Sequence, residues 1–414
     1  MGQPKCILLI LIPLLLVSFY QISTQSSAYA SSEEDWPMFH HDSAHTGHTT
    51  AIGPKTTPVV AWSQEVETSI STSPALVDGI VYVSSGGLHA FNTSTGTTIW
   101  TLTSGGVGSP AVSGGIVYTG LNGGTAYNAS TGEILWSAQV PESALSPTVA
   151  NGYLYTGYSG FIRALNASTG TEIWSYAMGQ SSSPAVFGDY LYFGAANRVF
   201  ALNAYTGTKM WEYETGGNIE SSPAISDNIV YVGSNDWNIY AFNALTGEKV
   251  WNYTTGSQIR SSPAVADGRV FVGSLDRNIY AFDASSGAKI WNYTTEYVVD
   301  SSPAVADSVV YIGSGDGNLY AFDATTGDKI WNFTIQPLLD ERGFDRYLFA
   351  SPIVVDGTIY TGSTDGFFYA LVTMSDTIPA DSSNQLLIIA VLVSLIIIAI
   401  VLALIVKRWK SKPT

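Results

Sequence analysis

Residues 261–294 read SSPAVADGRVFVGSLDRNIYAFDASSGAKIWNYT, and residues 301–334 repeat them as SSPAVADSVVYIGSGDGNLYAFDATTGDKIWNFT. Internal copies this close at a fixed period mark a repeat architecture, so period is read before anything else. A Ser-Pro pair recurs with its proline at Pro74, Pro110, Pro147, Pro184, Pro223, Pro263, Pro303 and Pro352. A tryptophan recurs at Trp62, Trp100, Trp136, Trp174, Trp211, Trp251, Trp291 and Trp331. Both series count eight.

Within one unit the hydrophobic period is two, which is the strand signal. SSPAVA, RVFVGS, NIYAFDA and KIWNYTT are separated by DG, LDR and SSG. Such Gly- and Asp-bearing pairs supply the left-handed conformations that tight hairpins need. Four short antiparallel strands cannot bury both faces of their own sheet, so each unit must stack on its neighbours. Radial stacking gives a propeller of four to eight blades. The coils of a parallel β-helix are shorter and lack antiparallel turns. The sequence therefore predicts an all-β, eight-bladed β-propeller of four-stranded antiparallel blades over 59–373, followed by one C-terminal transmembrane helix.

Seven times the chain writes Ala-x-(Asp/Asn)-x-x-(Thr/Ser)-Gly-x-x-x-Trp, beginning at Ala90, Ala126, Ala164, Ala201, Ala241, Ala281 and Ala321. The Asp or Asn is placed to hydrogen-bond turn backbone, and the glycine permits a conformation closed to other residues. The indole is expected to project from the fourth strand onto the next blade. Burying one removes ~150–250 Å² from water, roughly 4–6 kcal/mol gross. The eighth unit has no such motif after Ala370. Its fourth strand is expected from VVAWSQEV at 59–66, which carries Trp62 and closes the ring.

This motif resembles the tryptophan-docking repeat of the quinoprotein (PQQ-like) β-propeller family, which holds both alcohol dehydrogenases and the outer-membrane assembly propeller. The stretch from Trp36 to Gly47 resembles the family's N-terminal lead-in, assigned here to 31–58. The likeness implies the fold; family membership does not by itself imply an activity.

Both ends of the chain read as membrane signals. Residues 1–30 carry Lys5, an apolar run from Ile7 to Tyr20 and Ala28-Tyr29-Ala30, the pattern of a signal peptide. Residues 386–406 are uncharged and apolar, long enough to span a bilayer. Lys407, Arg408, Lys410 and Lys412 follow, so the tail 407–414 is expected inside and the propeller outside, on a polar linker at 374–385. The expected location is a cell membrane, single-pass and extracytoplasmic. Cys6 is the only cysteine and lies in the signal segment, so the propeller carries no disulfide.

The net charge is −16. Five of the seventeen basic residues are Lys5 and those of the tail, leaving twelve against thirty-three acids, about −21 for the outer part. That sign disfavours nucleic acid as a partner.

In a propeller the links from fourth to first strands share one face with the hairpins between second and third strands. Glu220, Arg260, Asp300 and Asp340 each lie nine residues after a docking tryptophan, at the start of a link's descent into an inner strand. The equivalent positions of earlier units are uncharged. The last link is longer and adds Glu341 and Arg342. Trp237 and Arg277 stand at hairpin tips of the same face, where a tryptophan is unexpected. Asp236, Asp276, Asp316 and Asp365 read as turn formers. His40, His41, His45 and His48 cluster in the lead-in, but without a second ligand group or a zinc spacing, so no metal site is assigned. Asn-x-Ser/Thr occurs in two classes. Asn92, Asn128 and Asn166 sit in the docking turns, whereas Asn252, Asn292 and Asn332 follow the tryptophan on the outermost strand and are the candidate glycosylation sites.

The expected function is a membrane-anchored, non-catalytic surface module that binds or scaffolds an envelope protein or a glycan. The alternative implied by the resemblance is a PQQ- and calcium-dependent dehydrogenase with its site at the channel mouth. The family's enzymes use a vicinal cysteine pair that this chain lacks, so no catalytic residue and no cofactor is assigned.

Overall fold

The computed structural model describes residues 35–66, 68–104, 108–140, 145–158, 160–179, 182–335 and 347–374. The segments expected to be a signal peptide, a transmembrane helix and a tail, the expected linker beyond Met374, and Asp340, Glu341 and Arg342 lie outside these. Among the described residues no helix is long and apolar enough to cross a membrane.

Eight antiparallel sheets of the repeating unit form the ring. Blades 1 to 7 span 75–102, 111–137, 148–177, 185–214, 224–254, 264–294 and 304–334. Blade 7 is representative: Ala304–Ala306, Val309–Gly313, Asn318–Asp323 and Lys329–Thr334 pair in order from channel to rim. Blade 8 has three strands between Ile353 and Val372, and Val59–Glu65 pairs antiparallel with Phe367–Val372 as its fourth. Trp62 faces Ala370 as Trp331 faces Ala321. The ring closes as the sequence predicts.

Every docking indole donates its Nε1–H to a backbone carbonyl beyond its own blade, at 2.7–3.1 Å. For seven the acceptor lies in the turn of the next blade's docking motif. The turn glycine is required twice over. Gly327 has φ +76, and a Cβ there would meet the Trp291 ring at 2.6 Å. The motif Asp or Asn caps the turn, as Asp323 Oδ1 does for the amides of Thr325 and Thr326. Blade 8 has no such turn, so Trp331 and Tyr311 both donate to the carbonyl of Pro54. The lead-in thus supplies the missing docking acceptor as well as the missing strand.

The Ser-Pro signature has its own cause. The serine amide of one blade donates to the serine Oγ of the next, along Ser73, Ser109, Ser146 and Ser183 and along Ser222, Ser262, Ser302 and Ser351, at 2.9–3.2 Å. These two arcs of three bonds each tie successive inner strands together just before the proline, which offers no donor of its own.

Inner strands have one edge facing the channel, and buried backbone groups must be paired. The lead-in pairs them. Amides of Leu76, Val112, Val186, Ile225, Val265 and Val305 donate to carbonyls of Trp36, Pro37, Ser43, Ala44, Thr46 and Gly47, at 2.5–2.9 Å. His48–Thr49 runs parallel to Val305–Ala306. The segment tours the inner strands and plugs the channel on the side of the first-to-second-strand turns. The opposite face carries the charged links.

Candidate functional site

On that opposite face the links of blades 4 to 7 are pinned to the hairpins by one repeated device. Asp236 Oδ2 accepts from the Gly216 amide and the Tyr240 hydroxyl, both at 2.7 Å, while Oδ1 accepts from the Asn238 amide. Asp276 does the same with Gly256, Tyr280 and Asn278, and Asp316 with Glu296, Tyr320 and Asn318. Burial pushes the Asp236 and Asp276 carboxyls up, but these hydrogen bonds to the charged form outweigh it and hold them low. These aspartates are therefore structural clamps, in keeping with their reading as turn formers.

Inside the clamps three of the proposed residues meet. Arg260 Nε lies 3.3 Å from Glu220 Oε2 across neighbouring links. Glu220 Oε1 accepts from Asn235 Nδ2 at 2.7 Å, and the Arg260 guanidinium donates to Gln258 Oε1 at 3.0 Å. Asp300 is half-buried beside them. Its burial raises its pKa, Arg260 lowers it, Glu220 raises it, and the net shift is upward. The pair itself is solvent-exposed and worth little stability.

Trp237 and Arg277 occupy one position of the repeat in adjacent blades. Their φ angles are +75° and +73°, in the left-handed region, and the equivalent residues of blades 7 and 8 are Gly317 and Gly366 at +81° and +85°. A bulky residue there is an outlier. Trp237 is 49% exposed. Arg277 is exposed too.

Sequence reasoning missed an aromatic stack in the same quarter. Tyr297, Tyr347 and Phe349 lie ring on ring, with centroids 5.8 and 5.0 Å apart. Tyr297 stands where sister links carry Gly217 and Ser257. That contrast was the available signal.

The lead-in histidines take no part in this face. His40 and His45 are fully buried in the plug, and burial lowers their pKa to about 4 and about 3. His40 Nδ1 donates to the His45 carbonyl. Thr148 spends its hydroxyl proton on the Pro184 carbonyl, so His45 Nε2 donates to Thr148 Oγ1. His41 and His48 line a cleft of about 520 Å³ with Asp42, Asp227 and Asp267 on the plugged side. Among the described residues no three His, Cys, Asp or Glu are grouped to hold a metal ion.

The two sequon classes also differ in geometry. Asn252, Asn292 and Asn332 donate Nδ2 to Asn238, Asn278 and Asn318. Asn92, Asn128 and Asn166 engage through Oδ1, which accepts turn amides.

The family model described as outer membrane protein assembly factor BamB matches residues 46–180 and 158–370. No curated protein sequence matches the chain. Among solved structures, a quinohemoprotein alcohol dehydrogenase from Comamonas testosteroni superposes with a TM-score of 0.68 at 17% identity, over 83% of this chain and 81% of its own. BamB from Moraxella catarrhalis gives 0.61 at 19%, over 76% and 100%. The computationally designed Ika8 protein gives 0.65 at 18%, over 75% and 98%. At these identities the likeness is one of fold.

Proposed function

The chain belongs to the family of the outer membrane protein assembly factor BamB, and from that premise we propose that it is a membrane-anchored, non-catalytic surface module. It binds or scaffolds an envelope protein or a glycan through the face bearing Glu220, Trp237, Arg260, Arg277 and Asp300. One observation carries this reading. The repeat is kept almost unchanged in the frame of blades 5 to 7, and it departs from itself at exposed positions of that face, including two held in a strained conformation. Function on loops held by a rigid frame is the usual arrangement, and a propeller face is wide enough for the ~800 Å² per partner of a standard interface.

The alternative is a quinone-dependent dehydrogenase. Calcium in such a site requires six to eight oxygen ligands. At the mouth the two described carboxylates, Glu220 and Asp300, have the Arg260 guanidinium among them, and Glu220 already binds it. A fixed positive charge there opposes a divalent cation, so the described residues of this face do not fit the calcium–quinone pair.

Two measurements test the proposal. Full-length protein is screened on a glycan array and against envelope extracts beside a Trp237→Ala/Arg260→Ala variant, whose binding should be lost. Unchanged binding moves the site off this face. Protein supplied with PQQ, calcium, an alcohol and a dye acceptor should turn over no faster than Glu220→Ala. Dye reduction that depends on Glu220 would instead establish the enzyme.

A further inference from the structure

The chain enters and leaves the ring on one side. Asp35 Oδ1 accepts from the Asp78 amide in the first-to-second-strand turn of blade 1, and Trp36 pairs with Leu76 beside it. At the other end Phe367–Val372 is the last strand. Phe368 faces Gly362 near the hairpin, and Leu371 faces Ile359 near the turn at Asp356 and Gly357. Met374 therefore follows a strand that ends on the plugged side, and the face of Glu220, Arg260 and Asp300 lies at the far end of the blades.

An anchor on either flank pulls on that same side. Eleven residues, 375–385, separate Met374 from the apolar run 386–406. Eleven residues reach at most ~40 Å. Six-residue strands make a blade ~20 Å tall before its loops are counted. Turning the charged links towards a bilayer would use half of the reach on climbing the blade, whereas the plugged side needs none of it. An uncleaved run from Ile7 to Tyr20 would pull on the plugged side too.

Exposed apolar side chains mark the plugged side independently. Ile52, whose carbonyl accepts from the Gly357 amide of blade 8, is 69% exposed, and Met374 is 72% exposed. Across the ring, the docking turns of blades 4 and 5 carry Tyr205 and Leu245 at a position that is serine or threonine in the other five. Leu245 is 55% exposed. Apolar footings thus stand on opposite sides of the plug, an arrangement that suits a broad flat surface and not a pocket. Such side chains gain by leaving water for the headgroup and acyl boundary of a bilayer. The ground between them is acidic. Six of the eight first-to-second-strand turns carry an aspartate, and Lys55 is already paired with Asp307. The docking turns and outer strands add both acids, such as Asp328, and lysines, such as Lys289. That excess of acid is repelled by anionic lipid and tolerated by neutral headgroups.

We propose that the plugged side is the membrane-facing surface, with Ile52, Leu245 and Met374 touching the headgroup layer of a neutral bilayer and the charged-link face presented away from it. This rests on the membrane-anchored reading above and adds which partners that face meets: those approaching from outside the membrane, not neighbours embedded in it.

The test reconstitutes full-length protein into phosphatidylcholine vesicles in a Cys6→Ser background, which leaves the chain without cysteine. A donor dye is attached through Ser94→Cys or Ser285→Cys in docking turns, or through Glu296→Cys among the charged links, and an acceptor dye sits on the lipid headgroups. Energy transfer from Ser94→Cys and Ser285→Cys should be at least two-fold that from Glu296→Cys. Equal transfer, or more from Glu296→Cys, would overturn the proposal. Flotation is read first. Protein that does not float with the vesicles refutes the anchor, whereas floating protein with the wrong order of transfer refutes the orientation alone. Ile52→Ser/Leu245→Ser should at least halve the excess transfer while flotation and melting temperature hold, and a ratio that ignores this pair would overturn the apolar contact. Vesicles one-third phosphatidylserine should lower transfer from both docking turns; a rise would overturn the choice of neutral lipid.

Discussion

Acid should loosen the channel plug before it affects most of the molecule. In the unfolded chain His40 and His45 bind a proton near pH 6.5, whereas in the plug they remain neutral down to about pH 4 and about pH 3. The unfolded state therefore takes up more protons throughout that interval. Stability is fully present above pH 6.5, falls as pH drops, and levels off for these groups only below about 3. Each pH unit below 6.5 costs ~1.4 kcal/mol per histidine, so both together remove about 4 kcal/mol by pH 5. Most carboxylates contribute little in this window, because their unfolded pKa lies near 4. The assay is urea unfolding of full-length protein between pH 7.5 and 5, beside a His40→Asn/His45→Gln variant. The variant starts less stable but should lose most of the pH slope. An unchanged slope would show that the buried imidazoles are not the proton-linked groups.

Removing residues 36–66 deletes the closing strand, the Trp331 acceptor and the buried Trp36 together, so the loss should exceed the ~3–5 kcal/mol of one buried aromatic; an unchanged melting temperature would refute the closure. Asp276→Ala strips a clamp from Gly256, Tyr280 and Asn278 and should cost ~1–3 kcal/mol in urea unfolding; a neutral result would make the clamp ornamental. Protease added to intact cells should remove the propeller and spare a tag placed after Thr414, and a protected propeller would reverse the proposed orientation.

Architecture was legible because its determinants are local and repeated. Tryptophan, turn glycine and capping Asp or Asn recur within eleven residues, and their count alone fixes blade number and closure. Two determinants were not legible in the same way. The Ser-Pro pair was a period marker in the sequence, and its serine arcs emerge only once neighbouring blades stand side by side. The lead-in contains no repeat, so nothing local reveals that its carbonyls satisfy inner-strand amides or that Pro54 replaces a docking turn. Its histidines suggested metal chemistry as a string, yet in space two of them are buried, neutral parts of a plug.

The candidate site was half legible for a related reason. Charges at Glu220, Arg260 and Asp300 stood out by comparing units, and the ring brings them together. The significance of Trp237 and Arg277 needed backbone angles. Strain of this kind persists only where surrounding bonds over-determine the conformation, and here they do. The Trp237 amide donates to the Ser234 carbonyl, and its own carbonyl accepts from the Thr255 amide and hydroxyl. Asp236 fixes the next residue through the Asn238 amide, and the hairpin of blade 6 repeats each bond around Arg277. The clamp is therefore what allows a large side chain to stand at a glycine position. A frame pinned this firmly can carry a tip residue that its own backbone conformation disfavours.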